Sequence, residues 1–152
     1  MTRKSFTKNM RGDIMVIQME PSRLLICELN QHQVVYLREK HGKREMPIVI
    51  GLSEAMAIDR RMRRLPSKRP LTHDLMLAVI EQLGGNAIRV DIDRVEEMTF
   101  YAKLTLEQDG KMNVIDARPS DAIALALTPP VPLPIFVSED VLSKSITLDI
   151  PK

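Results

Sequence analysis

The chain has 152 residues, of which 44% are apolar and 28% are charged, and its formal net charge at pH 7 is +2. A chain of this length can bury a sizeable core, which excludes global disorder and indicates one domain. The one cysteine, Cys27, excludes an intrachain disulfide and a cysteine-based zinc cluster. No apolar run approaches the ~20 residues of a membrane span, and no secretion signal is recognisable, so we expect a cytoplasmic protein.

The first half of the chain predicts a basic arm, four short strands and a helix. Residues 1–12 are polar and basic, typical of a flexible arm. Runs rich in Val, Ile and Leu, separated by turn residues, then predict strands. These strands are IMVIQM (14–19), RLLICEL (23–29), QVVYLRE (33–39) and MPIVIGL (46–52). Apolar residues at helical spacing predict a helix from Ser53 that Pro66 ends.

The second half predicts a further mixture of helices and strands. Thr72 is the expected N-cap of a helix that stops at Gly84-Gly85. Its expected buried stripe is Leu75, Met76, Val79, Ile80 and Leu83. Strands are expected at AIRVDI (87–92), TFYAKLTLE (99–107), KMNVID (111–116), PIFV (134–137) and SITLDI (145–150), with a core helix starting near Ser120 and a helical turn at 138–144. The expected fold is a single α+β domain over residues 13–150, with a strand-rich mixed sheet and three to four helices.

Two segments, 34–58 and 102–126, resemble each other. Gly42-Lys43 aligns with Gly110-Lys111, and SEAMA aligns with SDAIA. We infer that a strand–turn–strand–helix unit occurs twice. Glu54 and Asp121 then occupy equivalent places at the starts of two helices, where two carboxylates can hold a metal ion or a water. Acids in a first helical turn are also ordinary helix-dipole residues, so a purely structural role stays open.

Other polar residues offer further chemistry. His73 can act as a general base, and Asp74 can bind a divalent cation through oxygen. Arg118 can bind a phosphate with two parallel hydrogen bonds, or can pair with a neighbouring aspartate. Ser120 lacks the glycine pattern of a nucleophile elbow, and no Walker, Rossmann or HExxH motif is present. Nucleotide-binding folds of those types and zinc proteases are therefore excluded.

The charge distribution points to an anionic partner. Residues 1–76 carry 15 Lys and Arg against 8 Asp and Glu, and residues 77–152 carry 7 against 12. Six of the ten residues from Arg60 to Arg69 are basic. Such a run can neutralise several phosphates of a nucleic acid, but it is equally typical of a solvated helix face. Aromatic residues, at 3% of the chain, offer few platforms for base stacking.

Several motifs together resemble the bifunctional nuclease domain family over about residues 13–148. The resemblance rests on MPIVIGLSEAMAI, RPLTHDLMLAVIEQL, TFYAKLTL, IDARPSDAIALAL and PIFVSEDVL, in this order. It implies a compact α+β domain that forms homo-oligomers, with a dimer favoured. It also implies divalent-metal-dependent cleavage of RNA and DNA. The polar residues of the family motifs fall here on Glu54, His73, Asp74, Arg118, Ser120 and Asp121.

The leading hypothesis is therefore a metal-assisted nuclease. Glu54 and Asp121, with Asp74 as a third candidate, would hold Mg²⁺ or Mn²⁺, and His73 would act as base or orient water. The residues expected to bind nucleic acid are Arg60, Arg61, Arg63, Arg64, Lys68, Arg69, Arg118 and Ser120.

Two alternatives remain open at this point. The first is a non-catalytic regulatory domain that binds nucleic acid or an acidic partner, with the acids acting only as helix caps. The second is a small-molecule module with its ligand between the two repeated units. The sequence does not say whether Glu54 and Asp121 lie close together, which the nuclease hypothesis requires.

Overall fold

A computed structural model describes residues 7–8, 14–27, 29, 32–128, 130 and 132–146. Within these residues the chain forms eight strands and four helices. In chain order they are β1 (Thr7–Lys8), β2 (Met15–Leu25), β3 (Gln33–Glu39), β4 (Glu45–Ile50), α1 (Leu52–Met62), α2 (Thr72–Gln82), β5 (Gly85–Glu96), β6 (Thr99–Gln108), β7 (Lys111–Ala117), α3 (Pro119–Ala126), β8 (Ile135–Ser138) and α4 (Glu139–Ile146). The predicted α+β class and the number of helices are confirmed.

The strands form one mixed sheet in the order β4-β3-β2-β8-β5-β6-β7, with β1 paired to β2. Neighbouring strands are antiparallel, except that β5 and β8 run parallel. Strand β8 lies between the two halves, and all four of its residues are buried. Such an apolar run, covered on both faces, is typical of a central strand.

The two repeated segments fold in the same way. Strands β3 and β4 form an antiparallel hairpin followed by α1, and β6 and β7 form a second hairpin followed by α3. The hairpins occupy opposite ends of the sheet, with β2 and β5 next to them on the inner side. The second hairpin turns at Asp109 and Gly110, whose φ angles of 52° and 76° suit a two-residue turn. The predicted strand–turn–strand–helix unit is therefore present twice.

Helix α3 lies in the centre of the core. Every residue of α3 except Asp121 is buried, and the helix packs against α1, α2, β5 and β6. This matches the expectation from its uninterrupted apolar sequence. None of the helices in the described part of the chain has the length and apolar content that a membrane span requires.

Several predicted boundaries are wrong. Strand β2 is continuous where two strands were expected, because Pro21 and Ser22 are accommodated by a bulge in its pairing with β3. Helix α1 begins at Leu52, one residue before the prediction, and ends at Met62, well before Pro66, because Arg64 adopts a left-handed φ of 54°. The N-cap of α2 is Leu71 instead of Thr72.

The ends of the chain test the prediction only in part. Of the arm predicted for residues 1–12, Thr7–Lys8 are described, as a short strand. The other arm residues lie outside the described ones. The first two residues of the predicted last strand, Ser145 and Ile146, belong to helix α4, and residues 147–150 also lie outside the described ones.

The predicted buried stripe of α2 is wrong for four of its five residues. Ile80 packs against the core, and Leu77, outside the predicted stripe, does the same. The other members are exposed, with Leu83 at 70% of its maximal accessible surface. The exposed residues are Leu75, Met76, Val79 and Leu83. Helix α2 therefore presents an apolar face outward, although its sequence has the periodicity of a core helix.

Candidate functional site

Three helices carry an acidic residue at the same position of their first turn. Glu54, Asp74 and Asp121 are each the third helical residue, of α1, α2 and α3 respectively. Negative charge is favourable there because the free N–H groups give a helix a positive amino end. Since α3 packs against both α1 and α2, the acids of α1 and α2 lie on helices that flank Asp121.

Arg118 joins two of these acids. Its Nε donates a hydrogen bond to Oδ2 of Asp121 at 2.8 Å, and its Nη1 donates to Oε1 of Glu54 at 3.1 Å. The two carboxylates therefore lie close enough to share one guanidinium group. The Arg118 side chain is 64% exposed, and both carboxylates raise the pKa of its guanidinium further. The two acids of the repeated units do converge, as the nuclease hypothesis requires.

His73 extends this network inward. Its side chain is 11% exposed, and Nε2 lies 3.3 Å from Oδ1 of Asp121. Asp121 thus lies between an imidazole and a guanidinium. Partial burial raises the pKa of the Asp121 carboxyl, but the hydrogen bonds and charges of Arg118 and His73 outweigh this effect, so its pKa lies below the ordinary value. Asp121 is therefore a carboxylate at neutral pH and accepts from both partners.

Gly51 allows Glu54 to reach this position. Gly51 is the N-cap of α1, and the Glu54 carboxylate folds back over it. A β-carbon on residue 51 would overlap Oε2 of Glu54. Sequence reasoning missed Gly51, because a glycine before a helix is too common to signal a special role.

Asp74 has other partners. Its Oδ2 accepts a hydrogen bond from the Leu71 backbone N–H at 2.8 Å, which closes the amino end of α2. Its Oδ1 lies 3.4 Å from Nη2 of Arg61. Successive residues of α2 thus face different groups, since His73 contacts Asp121 while Asp74 contacts Arg61. The structure does not bring Asp74 onto Arg118 with Glu54 and Asp121.

The side chains that could act as metal ligands determine how the expected divalent cation could be bound. No group of three or more His, Cys, Asp or Glu suited to a metal ion occurs among the described residues. A closed protein cage therefore does not fit. The carboxylates of Glu54 and Asp121, which share the exposed Arg118 side chain, do fit Mg²⁺. This ion is usually held by one or two carboxylates together with waters and substrate phosphates.

The basic run surrounds a cavity of about 1000 Å³. The cavity lies beside the carboxyl end of α1, the loop after it and the proline-rich segment after α3. We call it the basic cavity. Its cationic lining residues are Arg60, Arg61, Arg64, Lys68 and Arg69. Its apolar lining residues include Met62, Leu65, Leu71, Leu127, Pro130 and Pro132.

The basic residues from Arg60 to Arg69 differ in exposure and in the contacts that already engage them. Arg61 has a side chain only 5% exposed, and it donates to Thr128 Oγ1 at 2.8 Å and to the Ala57 carbonyl at 2.9 Å. Burial lowers the pKa of its guanidinium. Arg63 lies outside the cavity lining and pairs with Asp59 at 3.3 Å.

Ser120, predicted to bind nucleic acid, is buried in α3. Its position leaves little surface for contact with a large ligand. Sequence reasoning also missed that Pro130 and Pro132, which follow α3, line the cavity. Nothing in the sequence places residues 130 and 132 beside a basic run more than 60 residues earlier.

The comparisons with known proteins come from sequence. The model of the bifunctional nuclease domain matches residues 35–148. An uncharacterized protein of Mycobacterium tuberculosis, in strains H37Rv and CDC 1551, is 44% identical over 112 residues. That similarity covers 74% of this chain and 65% of the relative. The chain thus matches about two thirds of the length of these relatives.

Proposed function

This chain belongs to the bifunctional nuclease domain family, and we propose that it cleaves phosphodiester bonds of RNA and DNA at the network of Glu54, Arg118, Asp121 and His73. The observation that carries the proposal is the position of Arg118. An exposed guanidinium, held by two carboxylates from equivalent places in the repeated units, adjoins a histidine paired with one of them. Membership of the family adds support for a nuclease-related role.

Each residue of the network has a chemical task. Arg118 presents an exposed charge that can bind a phosphate and stabilise the charge developing on it. His73 can remove a proton from the attacking hydroxyl or water, and Asp121 would orient the imidazole and stabilise its protonated form. When Arg118 turns to a phosphate, Glu54 and Asp121 lose their shared guanidinium partner, and Asp121 keeps its contact with His73.

A divalent cation, Mg²⁺ or Mn²⁺, would be held by Glu54 and Asp121 together with substrate oxygens. It would supply charge stabilisation on the phosphoryl oxygens. Its affinity in the absence of nucleic acid would be weak, because the protein offers two carboxylates and no third ligand among the described residues.

The test compares cleavage by the wild-type chain with cleavage by His73→Gln, Asp121→Asn and Arg118→Ala. Substrates are labelled single-stranded RNA and DNA with Mg²⁺, Mn²⁺ or EDTA. We expect wild-type cleavage to stop with EDTA, and each variant to lose at least about 100-fold in rate, typical for a lost general base or charge-stabilising group.

Matched controls use similar residues outside the network. Asp140→Asn removes an exposed acid that pairs only with Lys144 in the described structure, and Arg94→Ala removes an exposed arginine that pairs with Glu96. Both should retain wild-type rates. Cleavage that survives in folded His73→Gln and Asp121→Asn would show that the proposed site is wrong.

A second candidate function is nucleic-acid binding without cleavage. The observation that favours it is the shared first-turn position of the three acids, together with the hydrogen bond from the Leu71 N–H to Asp74. In that case wild type shows no cleavage with any metal, and binds RNA or DNA with an affinity that falls steeply with salt. Asp121→Asn would then change thermal stability and leave that affinity unaltered.

A further inference from the structure

We propose that the basic cavity is a second binding site, separate from the Arg118 network, and that it takes a nucleotide. The phosphate would lie on the cationic side chains, and the base would lie against the apolar wall. The cavity volume of about 1000 Å³ is at the upper end of the ~300–1,000 Å³ typical of small-molecule sites. It is therefore large enough for a nucleotide.

The charge of the cavity selects an anion. Five of its lining residues are cationic, and Asp74 is its one acidic lining residue in the described part of the chain. Asp74 is already engaged by the Leu71 N–H and by Arg61. The remaining positive charge is thus uncompensated within the cavity, which favours a ligand with at least one phosphate.

Arg60 lines the cavity and carries one buried donor without a partner among the described residues. Its Nη2 donates to the Pro66 carbonyl at 2.7 Å, which fixes the guanidinium beside the loop. Its Nε is closed to solvent and has no hydrogen-bond partner in the part of the chain that the structure describes. A buried donor without a partner is costly and rare in folded proteins. A small movement of this side chain on ligand binding would let Nε donate to a ligand oxygen.

Arg64 lies where a glycine would be the more stable residue. Its N–H donates to the Arg61 carbonyl, and the next N–H, of Leu65, donates to the Arg60 carbonyl. These two hydrogen bonds form the Schellman motif that ends a helix, in which the left-handed residue is usually glycine. Here that residue is Arg64, with a φ of 54°. A strained residue with its side chain on a cavity is typical of functional positions.

The apolar wall indicates more than a bare phosphate. Met62, Leu65, Leu71 and Leu127 line the cavity together with prolines. Inorganic phosphate would leave this wall unused, whereas a base would bury part of it. The nucleotide has two possible sources, a free nucleotide or the terminal residue of a strand.

The cavity lining contains none of the four network residues, although Asp74 of the lining directly follows His73. Along α1, Arg64 follows Glu54 by ten residues, mostly helical, which corresponds to about 15 Å. Nucleotide binding in the cavity therefore does not require that the chain cleaves nucleic acid. The two proposals can fail independently.

The experiment measures binding in EDTA, so that no cleavage occurs. AMP, a 5′-phosphorylated tetranucleotide and inorganic phosphate are titrated into wild type, Arg64→Gly and Arg94→Ala by calorimetry. We expect Arg64→Gly to raise Tm by about 2–4 °C, because strain is relieved, and to weaken nucleotide binding about tenfold. Arg94→Ala removes the same charge outside the cavity and should bind as wild type does.

The outcomes distinguish the two sources of the nucleotide. If AMP binds, and only Arg64→Gly weakens this binding, the ligand is a free nucleotide. If only the tetranucleotide binds, and Arg64→Gly weakens its binding in the same way, the ligand is the end of a strand. The proposal is overturned by no binding, by equal loss in Arg94→Ala, or by phosphate binding as tightly as AMP. His73→Gln should keep nucleotide binding. If nucleotides bind but wild type does not cleave, the nuclease proposal fails and this one stands. If wild type cleaves but no nucleotide binds in the cavity, this proposal fails and the nuclease proposal stands.

Discussion

His73 and Asp121 come from different helices, 48 residues apart in sequence, and their side chains meet at 3.3 Å. Asp121 also accepts from Arg118, so one carboxylate orients a buried imidazole and an exposed guanidinium together. This geometry makes Asp121 the central residue of the network. Its loss would disturb both neighbours, whereas loss of Glu54 would disturb only Arg118.

The pKa of Asp121 leads to a prediction about acid stability. Because its pKa is lowered in the folded chain from the ordinary 3.8, its contribution to stability is present above pH 3.8 and is lost as pH falls through the lower folded value. Asp121→Asn should therefore have a lower Tm than wild type at pH 6, and the difference should shrink at pH 3. Thermal unfolding of both proteins, with Asp140→Asn as the control, checks this. A difference that grows toward pH 3 would contradict it.

Arg61 should prove structural although it lines the basic cavity. Arg61→Met would remove a buried guanidinium that donates to Thr128 Oγ1 and to the Ala57 carbonyl and lies 3.4 Å from Asp74. We expect a loss of about 1–3 kcal/mol in the free energy of unfolding, because these hydrogen bonds are lost in a buried place. Arg63→Met, at an exposed ion pair, should cost less than about 1 kcal/mol. Urea unfolding of the two variants measures both, and equal costs would refute the distinction.

The internal repeat placed Glu54 and Asp121 at equivalent positions, but the sequence did not say whether they lie close together. In the structure α1 packs on α3, and both carboxylates accept a hydrogen bond from Arg118. The sequence did not predict Arg118 between them, because an arginine next to several acids has no preferred partner until the chain folds. Position in the repeat was thus more informative than residue type.

Two other features could not be predicted from the sequence, for a physical reason. The outward face of α2 has the periodicity of a core helix. Such periodicity shows that one face of a helix is apolar, but it does not show whether that face packs against the core or lies on the surface. The basic cavity depends on contact between Arg61 and Thr128, 67 residues apart. Contacts of that kind have no local signature, so the sequence did not place Pro130 and Pro132 beside the basic run.

The contacts of Arg44 predict a second effect of pH, at the β3–β4 hairpin. It donates to Glu39 and to Glu139, linking the β3–β4 hairpin to α4. Partial burial raises the pKa of Glu39, but hydrogen bonds from Arg44 outweigh it, and the same arginine lowers the pKa of Glu139. The stability from these pairs is therefore present above pH 4.5, the ordinary value of both acids, and is lost below it.

Arg44→Met should accordingly lower the free energy of unfolding by about 1–2 kcal/mol at pH 7, less than a fully buried pair because Arg44 is partly exposed. At pH 3 the variant and wild type should differ less. Urea unfolding at both pH values measures the change. Arg23→Met, which removes a more exposed pair with Glu45, serves as the control and should show little effect at either pH.

The apolar face of α2 predicts a homodimer. Leu75, Met76, Val79 and Leu83 are exposed on one helix, and monomeric proteins rarely expose contiguous apolar patches of this kind. A second copy of the chain would cover the same face on both partners, as a two-fold axis requires. We expect a dimer by sedimentation velocity at micromolar concentration, and a monomer for the double variant Val79→Lys, Leu83→Lys.

Both substitutions lie on exposed positions, so the double variant should keep its secondary structure and unfold cooperatively. Leu29→Lys is the matched control, because Leu29 is 96% exposed and lies in a turn outside α2. That variant should remain dimeric. A wild-type chain that sediments as a monomer at every concentration would contradict the prediction, and a dimer that persists in the double variant would place the interface elsewhere.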